Sequence, residues 1–524
     1  MSTQEPFYVT TAIDYVNGRP HLGHVYEKIT ADVLARWNRL LGRDVRFLLG
    51  TDEHGIKVEQ TAAAQGMTPQ DYVDSLVPAF VECFDAYNLS YDRFIRTTDP
   101  DHRASVTALL EKIRENGYIV EDSYTGWYCE GCEAFKTEKD LPDGKCPEHP
   151  GREPKWLEEE NLFFRLSAFQ DQLLQHIADN PNFIQPDYRR NEVLSLIRGG
   201  LEDISISRSM ESVSWGIPIS FRPDSVIYVW FDALINYLTG AGFGTDEEMC
   251  TRYWPQAHHI IGKDITRFHC IIWPSMLLAA GLPLYQTCFA HGFILDKGKK
   301  LSKSAGGGSP WAEPRQLADT YGADAVRYFM TSEVTYGRDG EFNLERFEEV
   351  YNAHLANGLG NLLSRSVGMA TKYFGGIPEA SETPDAMLSK LCAEAVQAAQ
   401  EAMKEFRIHD GVHAAWTIVS ACNEQIQARE PWKMAKDESR RGELADFLYA
   451  ILESLRIATV LLSPVLPTKM TACLMVLGGE DAVASLTQGL DSATSWGGLP
   501  GGRALERPEP LFPRLDQLRG SSED

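Results

Sequence analysis

The sequence contains no apolar run long enough to cross a bilayer, and its opening residues, MSTQEPFYVT, supply neither the basic start nor the apolar core of an export signal. The expected compartment is therefore the cytoplasm, with no membrane partner. Cysteine is sparse, ten among 524 residues, and positions such as Cys83, Cys270 and Cys288 stand singly in apolar surroundings, which suits reduced core thiols better than a disulfide framework. Positive charge is short as well: 50 Lys and Arg against 74 Asp and Glu leave a formal net charge of −24. So acidic a chain does not grip nucleic acid by bulk attraction, because neutralising phosphates takes local cations. Any nucleic-acid partner must be read through a few specific side chains. No internal repeat is visible either.

What remains is an ordinary globular composition, 43% hydrophobic and 24% charged, in a chain too long for one core. Residues 1–50 read strand, helix, strand: FYVTTAI is β-rich, Leu22, Val25, Ile29, Val33, Trp37 and Leu40 recur at three or four, and DVRFLLG follows Gly42. This βαβ unit implies an α/β fold with a Rossmann-like parallel sheet and a ligand site at the strands' carboxyl edge. The spacing predicts a first half at 1–117, an insertion at 118–225 and a second half at 226–296, where SVIYVWFDALINYL, AHHIIGKDI and TCFAHGFILD restore the rhythm. A short linker domain at 297–345 follows. A helix bundle at 346–480 begins with Leu355, Leu359, Leu362 and Val367, and a Gly/Pro-rich tail at 481–524 should wrap the surface without regular structure.

Three groups of residues carry chemistry. His21 and His24 flank Gly23 at the start of the first helix, three apart on one face, where the positive helix end favours phosphate and two imidazoles can donate to developing charge. Gly23 leaves room for a flat base or ribose. KKLSKSAGGGSP places Lys300, Ser302 and Lys303 on a glycine-ended loop suited to closing over a polyphosphate. Cys129, Cys132, Cys146 and His149 give C-x2-C, thirteen residues, then C-x2-H, the spacing of a closed tetrahedral zinc site. With no position left for water, one structural zinc per chain is expected; Glu148 is an alternative to His149 as fourth ligand.

The pair HLGH and KLSKS resembles the two signature motifs of class I aminoacyl-tRNA synthetases, with Leu301 where the usual consensus has Met. TTAIDYVNGRPHLGH, GTDEHG, YVWFDALINY, IGKDITRFH, NLLSR and REPW are similar to the methionyl-tRNA synthetase family along nearly the whole chain. The resemblance implies activation of methionine by ATP, with Mg2+, and transfer of the aminoacyl group to initiator and elongator methionine tRNA. It implies that His21 and His24 contact the ATP phosphates, that Lys300 and Lys303 hold the departing pyrophosphate, and that Lys263, Asp264 and Ser302 complete the ATP site, Asp264 at the ribose. It also implies a methionine pocket of Ile13, Tyr15, Trp230, Ala233, Leu234, Tyr237 and His269, with Asp52 on the ammonium group. Asn361, Arg365 and Trp432 would read the anticodon by hydrogen bonding and stacking. The family's larger members carry a further dimerising domain that this sequence does not show, so a monomer is expected. Three other readings stand beside this one: a class I synthetase for another apolar amino acid, a nucleotidylyltransferase, and a non-catalytic zinc-ribbon RNA-binding protein.

Overall fold

The computed structural model describes residues 4–129, 134–136, 138–147, 151, 153–296, 298–300, 313–379 and 385–516. Six parallel strands form the catalytic sheet: β1 (Pro6–Tyr15), β2 (Asp44–Asp52), β3 (Arg93–Arg96), β4 (Ile184–Gln185), β5 (Ala257–Gly262) and β6 (Thr287–His291). In space they run β3-β2-β1-β5-β6-β4. The central strands are covered on both faces, hence their near-continuous apolar runs such as Phe47, Leu48 and Leu49 in β2. The chain leaves β1 toward β2 on one side and returns through β5 on the other. Its topological switch point, and so its natural ligand crevice, lies at the carboxyl ends of β1 and β5.

Helix α1 (Leu22–Leu40) connects β1 to β2. Its apolar spacing seats one face on the sheet, but its other faces are buried too, including Glu27, Lys28 and Asp32. Those charges are paired. Lys28 Nζ donates to Asp14 Oδ1 at 2.6 Å, Glu27 Oε1 at 2.8 Å and the Ala12 carbonyl at 3.1 Å, three donors for three acceptors. The Ala12 amide donates to Glu27 Oε1 at 3.1 Å, and His291 Nε2 at the end of β6 lies 2.9 Å from Glu27 Oε2. Burial would raise the Glu27 carboxyl, but Lys28 and His291 hold it down to about 2.

Segment 118–225 is less separate than its sequence suggests. Its first part is an antiparallel sheet led by Ile119–Cys129 against Lys155–Phe164, paired from Ile119↔Phe164 to Tyr128↔Lys155, and the helices Gln170–Asp179 and Asp187–Arg198 follow. Ile184–Gln185, however, joins the catalytic sheet as its edge strand β4. Two residues carry too little periodicity to announce a strand.

The C-terminal part is helical, as the spacing predicts, with α3 (Asn361–Phe374), α4 (Ile408–Arg429) and α5 (Arg441–Leu462) among its members. The segment after 481 departs from expectation at its start: a helix runs to Ala484 and another spans Leu490–Thr494. Beyond these the tail is irregular but anchored, with Leu499, Leu505, Leu511, Phe512 and Leu515 buried. Ile377 donates to the Arg503 carbonyl at 2.8 Å, and Tyr351 Oη to the Pro513 carbonyl at 2.9 Å.

Lys28→Met should cost about 3–5 kcal/mol of stability, because it strands two buried carboxylates. Denaturant midpoints test this, and a loss below about 1 kcal/mol would contradict the pairing. The Glu27 contribution should be complete above pH 4.5 and drain away as the pH falls toward about 2, since its folded value lies below its unfolded one.

Candidate active site

The first turn of α1 sits at the switch point, and histidines cap it. His21 is the N-cap residue in extended backbone, φ −122° and ψ 171°. Its Nδ1 accepts from the Gly23 amide at 3.1 Å, while His24 Nδ1 accepts from the His21 amide at 3.0 Å, a reciprocal capping box made with imidazoles. The rings stack at 3.7 Å, 18° from parallel. An Nδ1 that accepts a backbone proton carries none of its own, so the ring proton is on Nε2. Both histidines are thereby held as Nε2–H donors at a helix terminus that already favours anions. Gly23 serves the cap itself: a Cβ there would stand 3.0 Å from His21 Cε1 and 3.1 Å from Nδ1. The sequence alone suggests only ligand clearance for that glycine.

Beside this turn, one residue more in β1 than in β2 between Thr10 and Ile13 makes a bulge that turns the end of β1. Ile13 and Tyr15 follow it, half-buried. Helix α2 (Val229–Gly240) contributes Trp230, Ala233, Leu234 and Tyr237. Trp230 is half-buried and stacks on Phe268 at 4.0 Å, 11° from parallel. Tyr237 Oη donates at 2.7 Å to His269 Nε2, whose ring donates through Nδ1 to the Ile265 carbonyl at 3.0 Å. One nitrogen accepts and the other donates, so His269 is neutral, and burial takes it down to about 4. Behind it, Trp273 Nε1 donates to His259 Nε2 at 3.2 Å, leaving His259 Nδ1 to donate to Thr10 Oγ1 at 2.7 Å. The rings of Tyr237, His269, Trp273 and His259 thus match their polar atoms among themselves and neighbouring groups, and both histidines are uncharged. Asp52, buried at the end of β2, brings a carboxylate to the same edge.

Several residues of this region escaped sequence reasoning. Asp232, in the first turn of α2, is bridged by His54 Nδ1 and His102 Nε2, each at 2.6 Å. Burial opposes ionisation, yet the two imidazoles bring its carboxyl down to about 2. Glu53 takes Arg96 in a two-pronged pair at 2.6 and 2.8 Å. Arg208 is buried with its guanidinium 4.6 Å from the Tyr228 ring centroid, just before α2. The only signal was a charged residue inside an apolar run, as in YVWFDALINYL.

Among the residues expected at ATP, Asp264 is exposed in the turn after β5. Lys263 Nζ is 2.7 Å from both Asp339 oxygens and 4.5 Å from the Phe293 ring. Lys300 ends the short strand Lys299–Lys300, paired with Leu295. Leu301, Ser302 and Lys303 lie outside the described residues. Of the four metal-spaced residues, Cys129 and Cys146 are buried together with Leu141 in a small core of their own, and no group of three metal-binding side chains is assembled among the described residues. Cys132 and His149 lie outside the described residues.

In the bundle, Asn361 is exposed at the start of α3, and Arg365 one turn later donates to Asn423 Oδ1 of α4 at 3.0 Å. After α4 the chain turns through Glu430 in left-handed backbone, φ 45°, and presents Trp432 at 37% exposure. An ordinary core tryptophan is thereby excluded.

The family described as tRNA synthetases class I (M) matches residues 7–152 and 149–367, and the anticodon binding domain of methionyl tRNA ligase matches 377–520. The methionine–tRNA ligase of Caldanaerobacter subterraneus subsp. tengcongensis is 44% identical over 98% of this chain and 79% of its own. That of Thermosynechococcus vestitus is 42% identical over 97% of each. Among solved structures, Mycobacterium tuberculosis methionyl-tRNA synthetase in complex with methionyl-adenylate superposes with a TM-score of 0.91 at 42% identity, over 98% of this chain and all of that one.

The neutral state of His269 has a signature in solution. Its folded value lies below its ordinary 6.5, so its contribution to stability should be complete above that pH and be lost as the pH falls toward about 4. Unfolding midpoints of the wild type should therefore fall more steeply across that window than those of His269→Gln. Parallel curves would show that the ring titrates normally.

Proposed function

The chain belongs to the methionyl-tRNA synthetase family of class I aminoacyl-tRNA synthetases, and from that premise we propose how its residues perform the reaction. The protein ligates L-methionine to methionine tRNA through a methionyl-adenylate. The observation that carries the mechanism is the histidine cap. Methionine's carboxylate attacks the α-phosphate of ATP and pyrophosphate leaves; no covalent enzyme intermediate is needed. Placement and charge stabilisation are then the protein's whole task. His21 and His24, as Nε2–H donors, receive the charge that builds on the phosphates. Lys300, Ser302 and Lys303 hold the departing pyrophosphate, with Lys263 beside them. Asp264 takes the ribose hydroxyls, and Gly23 keeps the approach clear. Mg2+ bound with ATP would supply neutralisation of the triphosphate's charge.

The amino acid lies against the neutral wall of Ile13, Tyr15, Trp230, Ala233, Leu234, Tyr237 and His269, with Asp52 pairing its ammonium group. A thioether suits such a wall, because sulfur gains from aromatic contact and an uncharged histidine does not favour a charged competitor. The 3′ ribose of tRNA then takes the aminoacyl group from the adenylate. Asn361, Arg365 and Trp432 read the anticodon; an exposed tryptophan offers a face on which a splayed base stacks. The zinc ligands are Cys129, Cys132, Cys146 and His149, and the ion is structural, closing an insertion with little core of its own. The domain limits given above for the sequence, a cytoplasmic site of action and a monomeric state complete the reading. No helix among the described residues is long and apolar enough to span a membrane. The match of an anticodon-binding domain to 377–520 disfavours a nucleotidylyltransferase, and the class I synthetase match over 7–367 disfavours a non-catalytic RNA-binding protein.

Two assays on one variant test this. Methionine-dependent exchange of pyrophosphate into ATP should exceed that with isoleucine, valine or cysteine, and Trp432→Ala should leave it near wild type. Aminoacylation of methionine tRNA by that variant should fall about ten- to a hundredfold, the worth of one base–aromatic stack. Exchange that is equal among the amino acids would refute the specificity. Exchange and charging that fall together would make Trp432 a folding residue.

A further inference from the structure

One buried guanidinium joins the catalytic domain to the bundle. Arg327, in the linker helix Ala323–Ser332, is fully buried. Its Nη2 donates to Asp32 Oδ2 of α1 at 2.6 Å and to the Pro464 carbonyl at 2.8 Å, its Nε to the Val465 carbonyl at 2.8 Å, and its Nη1 to the Tyr87 carbonyl at 3.2 Å. Pro464 and Val465 close the end of α5, in the bundle; Tyr87 ends the catalytic helix Pro69–Ala86. Asp32, buried as completely, is held in turn by the Ser90 amide and hydroxyl, both at 2.6 Å, and by Arg36 at 2.7 Å. A second bond runs alongside: the Lys469 amide donates to Asp324 Oδ2 at 2.6 Å.

Apolar packing is non-directional and tolerates sliding, whereas a planar guanidinium bonded to three segments does not. Any rotation of the bundle about this point breaks several bonds at once and leaves a buried charge underpaired. The substrate supplies the reason for such stiffness. One end of α1 carries His21 and His24, the bundle carries Asn361, Arg365 and Trp432, and a tRNA must engage both with a length that is its own. We propose that Arg327, with Asp32, is a positioning residue that sets the angle between the helix bundle and α1, so that an RNA seated on the bundle presents its 3′ end at the histidine cap.

The proposal rests on the anticodon reading of the bundle, and the test separates the two. Arg327→Lys keeps the charge and loses the fork; Asp32→Asn keeps the shape and loses the charge. For each variant three rates are needed: tRNA-free pyrophosphate exchange, charging of full-length methionine tRNA, and the slower charging of an acceptor-stem minihelix that has no anticodon. Exchange and minihelix charging should stay within about threefold of wild type, while kcat/KM for full-length tRNA falls about ten- to a hundredfold, the scale on which small misplacements act. Equal loss in all three assays would make Arg327 a general structural residue and overturn the proposal. Unchanged charging of full-length tRNA would overturn it too. A wild-type protein that charged both RNAs equally would instead remove the anticodon reading, and the proposal with it.

Discussion

The first turn of α1 is the constraint from which the rest of the molecule takes its purpose. Its amides have no partners within the helix, and here two of them are satisfied by the same imidazoles that the proposed mechanism uses as donors. Capping and chemistry are then the same event: the bonds that start the helix settle which imidazole nitrogen holds the proton. The helix cannot slip along the sheet, because Lys28 is locked between Asp14 of β1 and Glu27, and Glu27 reaches His291 of β6. Polar groups at this depth are costly unless matched, so the network also selects one register of α1 over its neighbours.

Charge is partitioned around that turn. On the amino-acid side, tyrosine and histidine hydrogen bonds close among themselves, and burial keeps His269 and His259 neutral. Across the switch point stand the amino-terminal turn of α1 and Lys263. Where a carboxylate is needed for structure, as at Asp232, two histidines enclose it and keep it away from the ligand's own charges.

Legibility in the sequence followed the range of the interactions. The βαβ unit, α1 with its histidines at the first turn, and the bundle helices are local patterns that the spacing announces, whereas the capping bonds of those histidines are not. The buried pairs are not local: Asp232 lies 178 and 130 residues from its histidines, and Arg327 lies 295 from Asp32. No window of sequence holds both members. The edge strand Ile184–Gln185 was too short to read, and the tail's anchoring depends on leucines scattered among prolines and glycines. Trp432 shows the other limit, since its composition fits a core or a surface equally and only its 37% exposure distinguishes them.

The central claim is that the cap holds His21 and His24 as Nε2–H donors before any substrate binds. Nitrogen-detected NMR of the protein labelled with 15N-histidine reads this directly, with His21→Gln and His24→Gln to assign the signals. At neutral pH both rings should show a protonated Nε2 and an unprotonated, hydrogen-bonded Nδ1. Finding the proton on Nδ1 in either ring, or fast exchange between the two tautomers, would contradict the account.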